Sequence, residues 1–222
     1  MKTKQELIAA LLEGVDLKSG KILDIGFAQE PNRHLPGEIY GIDIKNFSSA
    51  ANYKETKQVD LNQERIPYED NFFDAVVVGC TLSHLANPVA TLCEVNRVLK
   101  GKGWLLITTP NPHYYWEVVL NLFPSFFKYR VARAKLEEHF FSFSFYDMHT
   151  ILSRTGFEIV KRCGYLFALV KTPIRFNPVY FPSIAYEILY LARKKSSPEE
   201  YTIYQDGGNA GGKLTRVPTK FR

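Results

Sequence analysis

Two short apolar runs, Leu23-Asp24-Ile25-Gly26 and Gly41-Ile42-Asp43-Ile44, constrain this chain more than any other feature. Each reads as a buried strand that ends in a small or acidic residue. Asp43 falls 17 positions after Gly26. A tight turn after a first strand, then an acid at the end of a second, is the pattern that places a carboxylate against the ribose hydroxyls of a nucleoside cofactor. Only one glycine stands in the first turn, so the usual glycine-rich cradle is incomplete.

The rest of the chain supplies further elements of the same kind. Lys21–Gly26 and Glu38–Ile44 are the first two predicted strands, and Thr56–Asp60 is a short third. Between the first two, Pro31, Pro36 and Gly37 leave room for barely two helical turns, so the crossover helix is stunted. Phe72–Gly79 is β-branched and apolar, as a central parallel strand should be. Val89, Leu92, Val95, Val98 and Leu99 recur at helical spacing, with Asn87 as N-cap and Pro88 in the first turn. Gly101-Lys102-Gly103 ends that helix, and Trp104–Thr108 is the next strand. Ser144 is placed to cap a helix over Phe145–Arg154, followed by strands at Phe157–Arg162 and Ala185–Arg193. Strands and helices alternating in this way predict an open α/β sheet.

Length and composition bound the remaining choices. A chain of 222 residues, 45% apolar, fits one domain with insertions. That domain is expected to span residues 1–195, with a helical, aromatic insertion at about 113–138 and a proline-rich cover at about 165–183. Residues 196–222 are polar and glycine-rich, which predicts a disordered tail. Cys80, Cys93 and Cys163 are too few and too scattered for a disulfide framework, and a reduced, cytoplasmic chain is the simplest reading. Residues 1–15 read as an amphipathic helix instead of a signal peptide, and no stretch has the length of a membrane span. The net charge of +5 is uneven: Lys128, Arg130, Arg133 and Lys135 form one basic run and Arg193-Lys194-Lys195 another. Such runs can meet phosphates, anionic lipid or acidic glycans, and more often form a solvated face.

Four features now stand in order: Asp24-Ile25-Gly26, Asp43, Asp60-Leu61, and Leu99-Lys100-Gly101-Lys102-Gly103 before the fifth strand. Together they resemble the class I S-adenosylmethionine-dependent methyltransferases, in particular the small-molecule branch called type 11. The resemblance covers residues 20–110 well and Glu138-His139 through Gly156-Phe157 more loosely. It implies a Rossmann-like, mostly parallel seven-stranded sheet with helices on both faces and an antiparallel last strand. It also implies S-adenosyl-L-methionine as cofactor. The cofactor-binding set implied is Asp24, Gly26, Phe27, Ala28, Asp43, Ile44, Asp60, Leu61 and Cys80. Gly26 would let the backbone approach the methionine part, Asp24 would order the loop, Asp43 would take the ribose hydroxyls, and Asp60 with Leu61 would meet the adenine edge. Gly79, Cys80 and Thr81 fall where the family contacts the methionine or adenine side. The chain departs from the family at Ala28 and Glu30, which stand where glycines are usual. With a stunted crossover the last glycine loses its purpose, and Glu30 is expected to point outward or to meet the cofactor's ammonium group.

Few groups qualify for acid–base work. His113 is the preferred base, with Tyr114 or His84 as replacements, although a structural role is the commoner fate of such a histidine. His139 reads as a junction residue and Asp74 as structural. No cluster has metal-ligand spacing. The insertion, rich in Tyr114, Tyr115, Trp116, Phe123, Phe126, Phe127 and Tyr129, reads as a hydrophobic cap, a substrate lid or a membrane-facing surface beside the basic run. The expected acceptor is a small molecule, a glycan or a lipid-linked precursor, methylated on oxygen, with peripheral contact at the inner membrane face. Lipid quinone precursors would also suit that surface. Two rivals stand beside this reading: a catalytically silent relative that binds a partner through its aromatic surface, and a nicotinamide-dependent dehydrogenase. Missing glycines weigh against the second, because a pyrophosphate needs a full helix N-terminus. No base-flipping motif or appended nucleic-acid-binding module is present, so nucleic acid is not an expected partner.

Overall fold

The computed structural model of the chain describes residues 1–15, 17, 19–28, 30–45, 52–122, 140–169, 172–198, 202–205 and 213–216. Its centre is a seven-stranded sheet. The strands are β1 (Lys21–Ile25), β2 (Glu38–Asp43), β3 (Tyr53–Gln58), β4 (Phe73–Gly79), β5 (Leu99–Pro110), β6 (Phe157–Tyr165) and β9 (Glu187–Lys194). They lie in the order β3-β2-β1-β4-β5-β9-β6. β1 pairs in parallel with both β2 and β4, whereas β9 is inserted antiparallel between β5 and β6. The expected open, mostly parallel sheet with an antiparallel last strand is therefore present.

Burial explains the strand assignments. Asp24 is opposite Gly41 on one side and Val77 on the other, so β1 is covered by neighbours at both edges. Leu23, Ile25, Val76, Val78, Leu105 and Ile107 point to one face. There they meet α2 (Pro88–Val98) through Leu92, Val95 and Val98, and α4 (Phe145–Arg154) through Met148 and Leu152. Ile22, Val77, Leu106, Leu189 and Leu191 point to the other face, onto Leu7, Ile8, Leu11 and Leu12 of α1 (Lys4–Glu13). Alternation along each strand and a 3.6-residue stripe on each helix produce these two cores.

The helix ends follow the side chains that satisfy their free N–H groups. Thr3 and Glu6 form a capping box at α1, Ser144 and Asp147 form another at α4, and Asn87 Oδ1 accepts from Ala90 N at 3.0 Å. The expected caps at Asn87 and Ser144 are both in place. At the other end of α2, Lys194 Nζ donates to the carbonyls of Asn96 and Leu99, each at 2.7 Å. The cluster at 193–195 thus has structural partners: Arg193 lies over the Trp104 ring and Lys195 pairs with Glu158 at 3.3 Å.

Three details differ from the sequence reading. The segment between β1 and β2 contains no helix among the described residues, so the crossover is an irregular loop. The third strand begins at Tyr53, earlier than expected, because Tyr53 is anchored in the loop that follows β1. The cover carries a small antiparallel pair, β7 (Phe167–Ala168) with β8 (Arg175–Phe176), and a second such pair, β10 (Thr202–Gln205) with β11 (Lys213–Arg216), occurs in the stretch expected to be disordered. Within the insertion the described helix is α3 (Tyr115–Leu122); Phe123, Phe126, Phe127, Tyr129, the basic run at 128–135 and His139 lie outside the described residues. No helix among the described residues is long and apolar enough to cross a membrane.

Candidate active site

The connections leave β1 toward β2 and β3 on one side and resume at β4 on the other, so the chain changes direction between β1 and β4. Loops part above the carboxyl ends of the strands at such a point, and the gap is where open α/β sheets take ligands. Gly26 lies at this edge with φ +79°, and its N–H donates to Ile42 O at 2.9 Å. A Cβ built on Gly26 would stand 2.0 Å from Thr81 Oγ1. That hydroxyl holds the two strands together, donating to Ile25 O or Gly79 O at 3.2 and 3.1 Å. Both the backbone conformation and the close approach require glycine.

Asp43 closes the other side. Its Oδ2 accepts from Ala28 N and its Oδ1 from Lys45 N, each at 2.9 Å. A carboxylate oxygen has room for a second donor, so Asp43 can hold the loop and still accept from a vicinal pair of hydroxyls. Ile44, next in the chain, is 57% exposed and offers an apolar face beside that carboxylate. Val59 N donates to Asp43 O at 2.8 Å, which brings the β3 exit alongside. There Asp60 accepts from Asn62 N at 3.0 Å and from Gln63 Nε2 at 2.8 Å, so its carboxylate shapes its own turn. Leu61 is buried in the core and presents only backbone toward the edge.

Asp24 acts through a neighbour. It is buried, and Tyr53 Oη donates to its Oδ2 at 2.6 Å while accepting from Asn32 N at 3.1 Å. Burial raises its carboxyl to about 7, against the opposing hydrogen bonds from Tyr53 and the Asn32 backbone. Asp24 therefore reaches the loop after β1 through the Tyr53 hydroxyl and not through backbone N–H groups alone, and no sequence signal marked Tyr53. Phe27 turns inward instead of toward the site: its ring packs on Tyr53 with centroids 4.9 Å apart, and a Cβ on Gly41 would meet it at 2.7 Å. Phe27 and Ala28 can therefore serve a ligand only through their backbone. Glu30 meets Gln5 Nε2 at 2.9 Å and Lys4 Nζ at 3.8 Å, partners on α1 that the sequence did not suggest.

Cys80 has φ +53° just beyond β4, with its N–H directed at Thr108 Oγ1 at 3.0 Å. Burial pushes its thiol up to about 11, so it is a neutral wall and not a nucleophile. Glu187 begins β9 opposite Pro110 at the end of β5, which brings it to the same edge. Its Oε2 stands 3.7 Å from Cys80 Sγ and 3.3 Å from Lys4 Nζ.

The candidate bases are placed differently. His113 is exposed, its backbone N–H turned onto Asn111 Oδ1 at 3.0 Å, and its ring contributes to holding the Asp147 carboxyl down, after the larger effect of Ser144. Tyr114 is buried and donates to Ala168 O at 2.6 Å, which leaves its proton committed. Tyr115 Oη also donates to Ala168 O, at 2.9 Å. The rings of Tyr114, Tyr115, Phe167 and Tyr186 form an aromatic wall beyond the end of β5. His84 closes the short 3-10 turn after β4 and has a partner. Asp74 lies at the opposite edge of the sheet, bound to Lys21 N and Lys100 Nζ, and is structural.

A switch-point cleft with a glycine that cannot be replaced on one wall and the Asp43 carboxylate on the other lies where open α/β sheets take their ligands. Residues 23–107 match the family model described as a methyltransferase domain. The whole fold matches an S-adenosylmethionine-dependent methyltransferase from Mesorhizobium loti at TM-score 0.55 and 13% identity, covering 83% of this chain and 96% of that one. It matches another from Methanosarcina mazei at TM-score 0.56 and 15% identity, covering 83% and 97%. Over residues 23–107 the chain is thus similar to the methyltransferase domain, and its fold is the one these S-adenosylmethionine-dependent methyltransferases share. Among curated proteins, a demethylmenaquinone methyltransferase of Staphylococcus saprophyticus is 29% identical over 147 residues, which are 56% of this chain and 61% of that protein. A ubiquinone/menaquinone biosynthesis C-methyltransferase of Coxiella burnetii is 31% identical over 55 residues, 25% of this chain and 22% of that protein. The chain therefore spans less than two thirds of the length of these relatives.

Proposed function

We propose that this protein transfers a methyl group from S-adenosyl-L-methionine to a small, hydroxyl-bearing acceptor of aromatic or lipid-linked character. The observation that carries the reading is the pairing of Gly26, where no Cβ fits, with Asp43, whose carboxylate fixes the loop and keeps capacity for two hydroxyls. These residues fit the cofactor: Gly26 admits its thioether end, Asp43 its ribose, and the exposed Ile44 a face of its adenine. When bound, the cofactor supplies an electrophilic methyl group already activated by positive charge. The protein's share is then alignment and exclusion of water more than proton transfer. The placement of His113 and Tyr114 agrees with a modest acid–base role, and His113 is the residue left to take a proton from an acceptor hydroxyl.

The acceptor class rests on two supports. The aromatic wall of Tyr114, Tyr115, Phe167 and Tyr186 stands beside the cleft and suits a flat or apolar molecule. The curated relatives carry names of quinone methyltransferases. A phenolic acceptor would give up its proton to activate either the oxygen or the adjacent ring carbon, so oxygen methylation and carbon methylation share one starting state. The same acceptors bring the protein to the inner face of a membrane. The dehydrogenase alternative loses ground because the loop after Gly26 offers no helix N-terminus among the described residues for a pyrophosphate.

Calorimetric titration with S-adenosylmethionine and S-adenosylhomocysteine, with NADH as control, tests the reading. Both sulfur nucleosides are expected to bind, and Asp43→Ala to weaken them by about 10- to 100-fold, the worth of one or two charge-assisted hydrogen bonds. Binding of neither would leave a silent fold that acts through its aromatic surface.

A further inference from the structure

We propose that Lys4 and Glu187 form the seat for the zwitterionic amino-acid end of the donor, with Glu187 taking its ammonium and Lys4 its carboxylate. The inference rests on the methyl-donor reading above and specifies residues that reading does not use. Lys4 and Glu187 come from opposite ends of the chain, yet their charged atoms are 3.3 Å apart, with side chains 21% and 12% exposed. The long Lys4 stem reaches from the first turn of α1 to the start of β9.

Position connects the pair to the cleft. Glu187 Oε2 is 3.7 Å from Cys80 Sγ, and Cys80 is followed by Thr81, whose hydroxyl bridges β4 to β1 and closes on Gly26. On its other side Lys4 lies 3.8 Å from Glu30, in the loop that starts at Gly26. The pair is thus seated between the glycine turn and the end of β5, on the far side of Gly26 from the ribose carboxylate Asp43.

Chemistry favours the same occupant. A half-buried ion pair gains little as a fastener, because removing two charges from water offsets most of their attraction. A net-neutral pair of opposite charges is, however, complementary to a group that is itself a net-neutral pair. Ammonium on carboxylate and carboxylate on ammonium would complete a closed four-charge arrangement in a poorly hydrated place, where each contact counts for more than in water. A nucleoside without the amino acid gains nothing from it.

That difference supplies the test. S-adenosylhomocysteine and 5′-methylthioadenosine, which lacks the amino-acid end, are titrated into the intact protein and into Lys4→Met and Glu187→Gln. Each variant is expected to weaken S-adenosylhomocysteine by about tenfold or more while leaving methylthioadenosine within about twofold, in line with loss of a charge-assisted contact. The double variant is expected to lose less than the product of the two single losses, since the groups act together. Equal weakening of both nucleosides would reduce the pair to a clamp on α1, and unchanged S-adenosylhomocysteine binding would remove it from the site; either result overturns the inference. If the unaltered protein binds methylthioadenosine but not S-adenosylhomocysteine, the inference fails while a nucleoside site survives. If it binds neither, the methyl-donor reading fails as well.

Discussion

The loop between β1 and β2 and the junction between α2 and the loop before β4 are both rich in charge, yet they use it in opposite ways. At the junction, Glu94 is buried and receives Arg97 through three contacts of 2.8–3.1 Å and Arg65 through two of 2.9–3.2 Å. Arg97 also donates to the carbonyls of Ile66 and Tyr68 and to Asp70. The guanidinium groups hold the Glu94 carboxyl below its usual range against the burial that would raise it. Nearly every donor and acceptor there is spent on the protein. Across the sheet, Asp43 keeps spare acceptor capacity, Gly26 stands at positive φ, and Asp24 is held at a carboxyl value raised by burial. A satisfied network braces the fold, whereas capacity left over and conformations that cost energy mark the place where a ligand completes the structure.

Breaking the loop at its tightest point should give the largest effect. Gly26→Ala places a methyl group on Thr81 Oγ1 in a disfavoured backbone region, and is expected to cost about 3 kcal/mol of stability and to abolish nucleoside binding. Paired denaturant melts and titrations check this, and Gly26→Ala with Thr81→Ser should leave the defect largely in place, because the backbone conformation persists.

Asp24 sharpens the comparison through pH. Its carboxyl in the folded protein is raised to about 7 from an ordinary 3.8, so the native state keeps a proton that the unfolded chain releases. Stability from this group is therefore full below about pH 4, declines as pH rises toward 7, and is flat beyond. Asp24→Asn should remove that decline and make the protein roughly 3–4 kcal/mol less sensitive to pH across the window, as read from urea midpoints between pH 4 and 8.

The brace should fail differently from the loop. Glu94→Ala strips Arg65 and Arg97 of their shared buried acceptor and is expected to cost about 2 kcal/mol, with nucleoside affinity unchanged in the folded fraction. A proportionate loss of affinity would show that the two regions are coupled. The smallest change is expected at Tyr190, whose buried hydroxyl has no hydrogen-bond partner among the described residues. Tyr190→Phe should stabilise the protein by about 1 kcal/mol, a rise of about 2–4 °C in Tm, without touching the cleft.

Much of this was legible in the chain itself. The alternation of strands and helices, the caps at Asn87 and Ser144, and the glycine–acid spacing of Gly26 and Asp43 are local patterns, and local patterns survive in sequence because each depends on neighbours a few positions away. Periodicity could show that Phe27 is apolar but not that its ring turns onto Gly41, since that depends on a strand placed beside it. Nor could it show that Asp60 spends both carboxylate oxygens within its own turn, while Asp43 divides its two between Lys45 N in its own turn and Ala28 N in the loop after β1.

What the amino-acid order determined by itself was the class of fold and the placement of Gly26 and Asp43 at the carboxyl ends of β1 and β2, because backbone freedom at Gly26 and the apolar runs of β1 and β4 are properties of short segments. Tertiary structure alone decided that Tyr53 would govern Asp24, that Cys80 would sit against Glu187, and that Lys4 would meet Glu187. Those contacts join residues far apart in the chain: the first exists only once β3 lies beside β2 and β1, and the other two only once β9 has been inserted antiparallel beside β5 and α1 has closed over the face behind it.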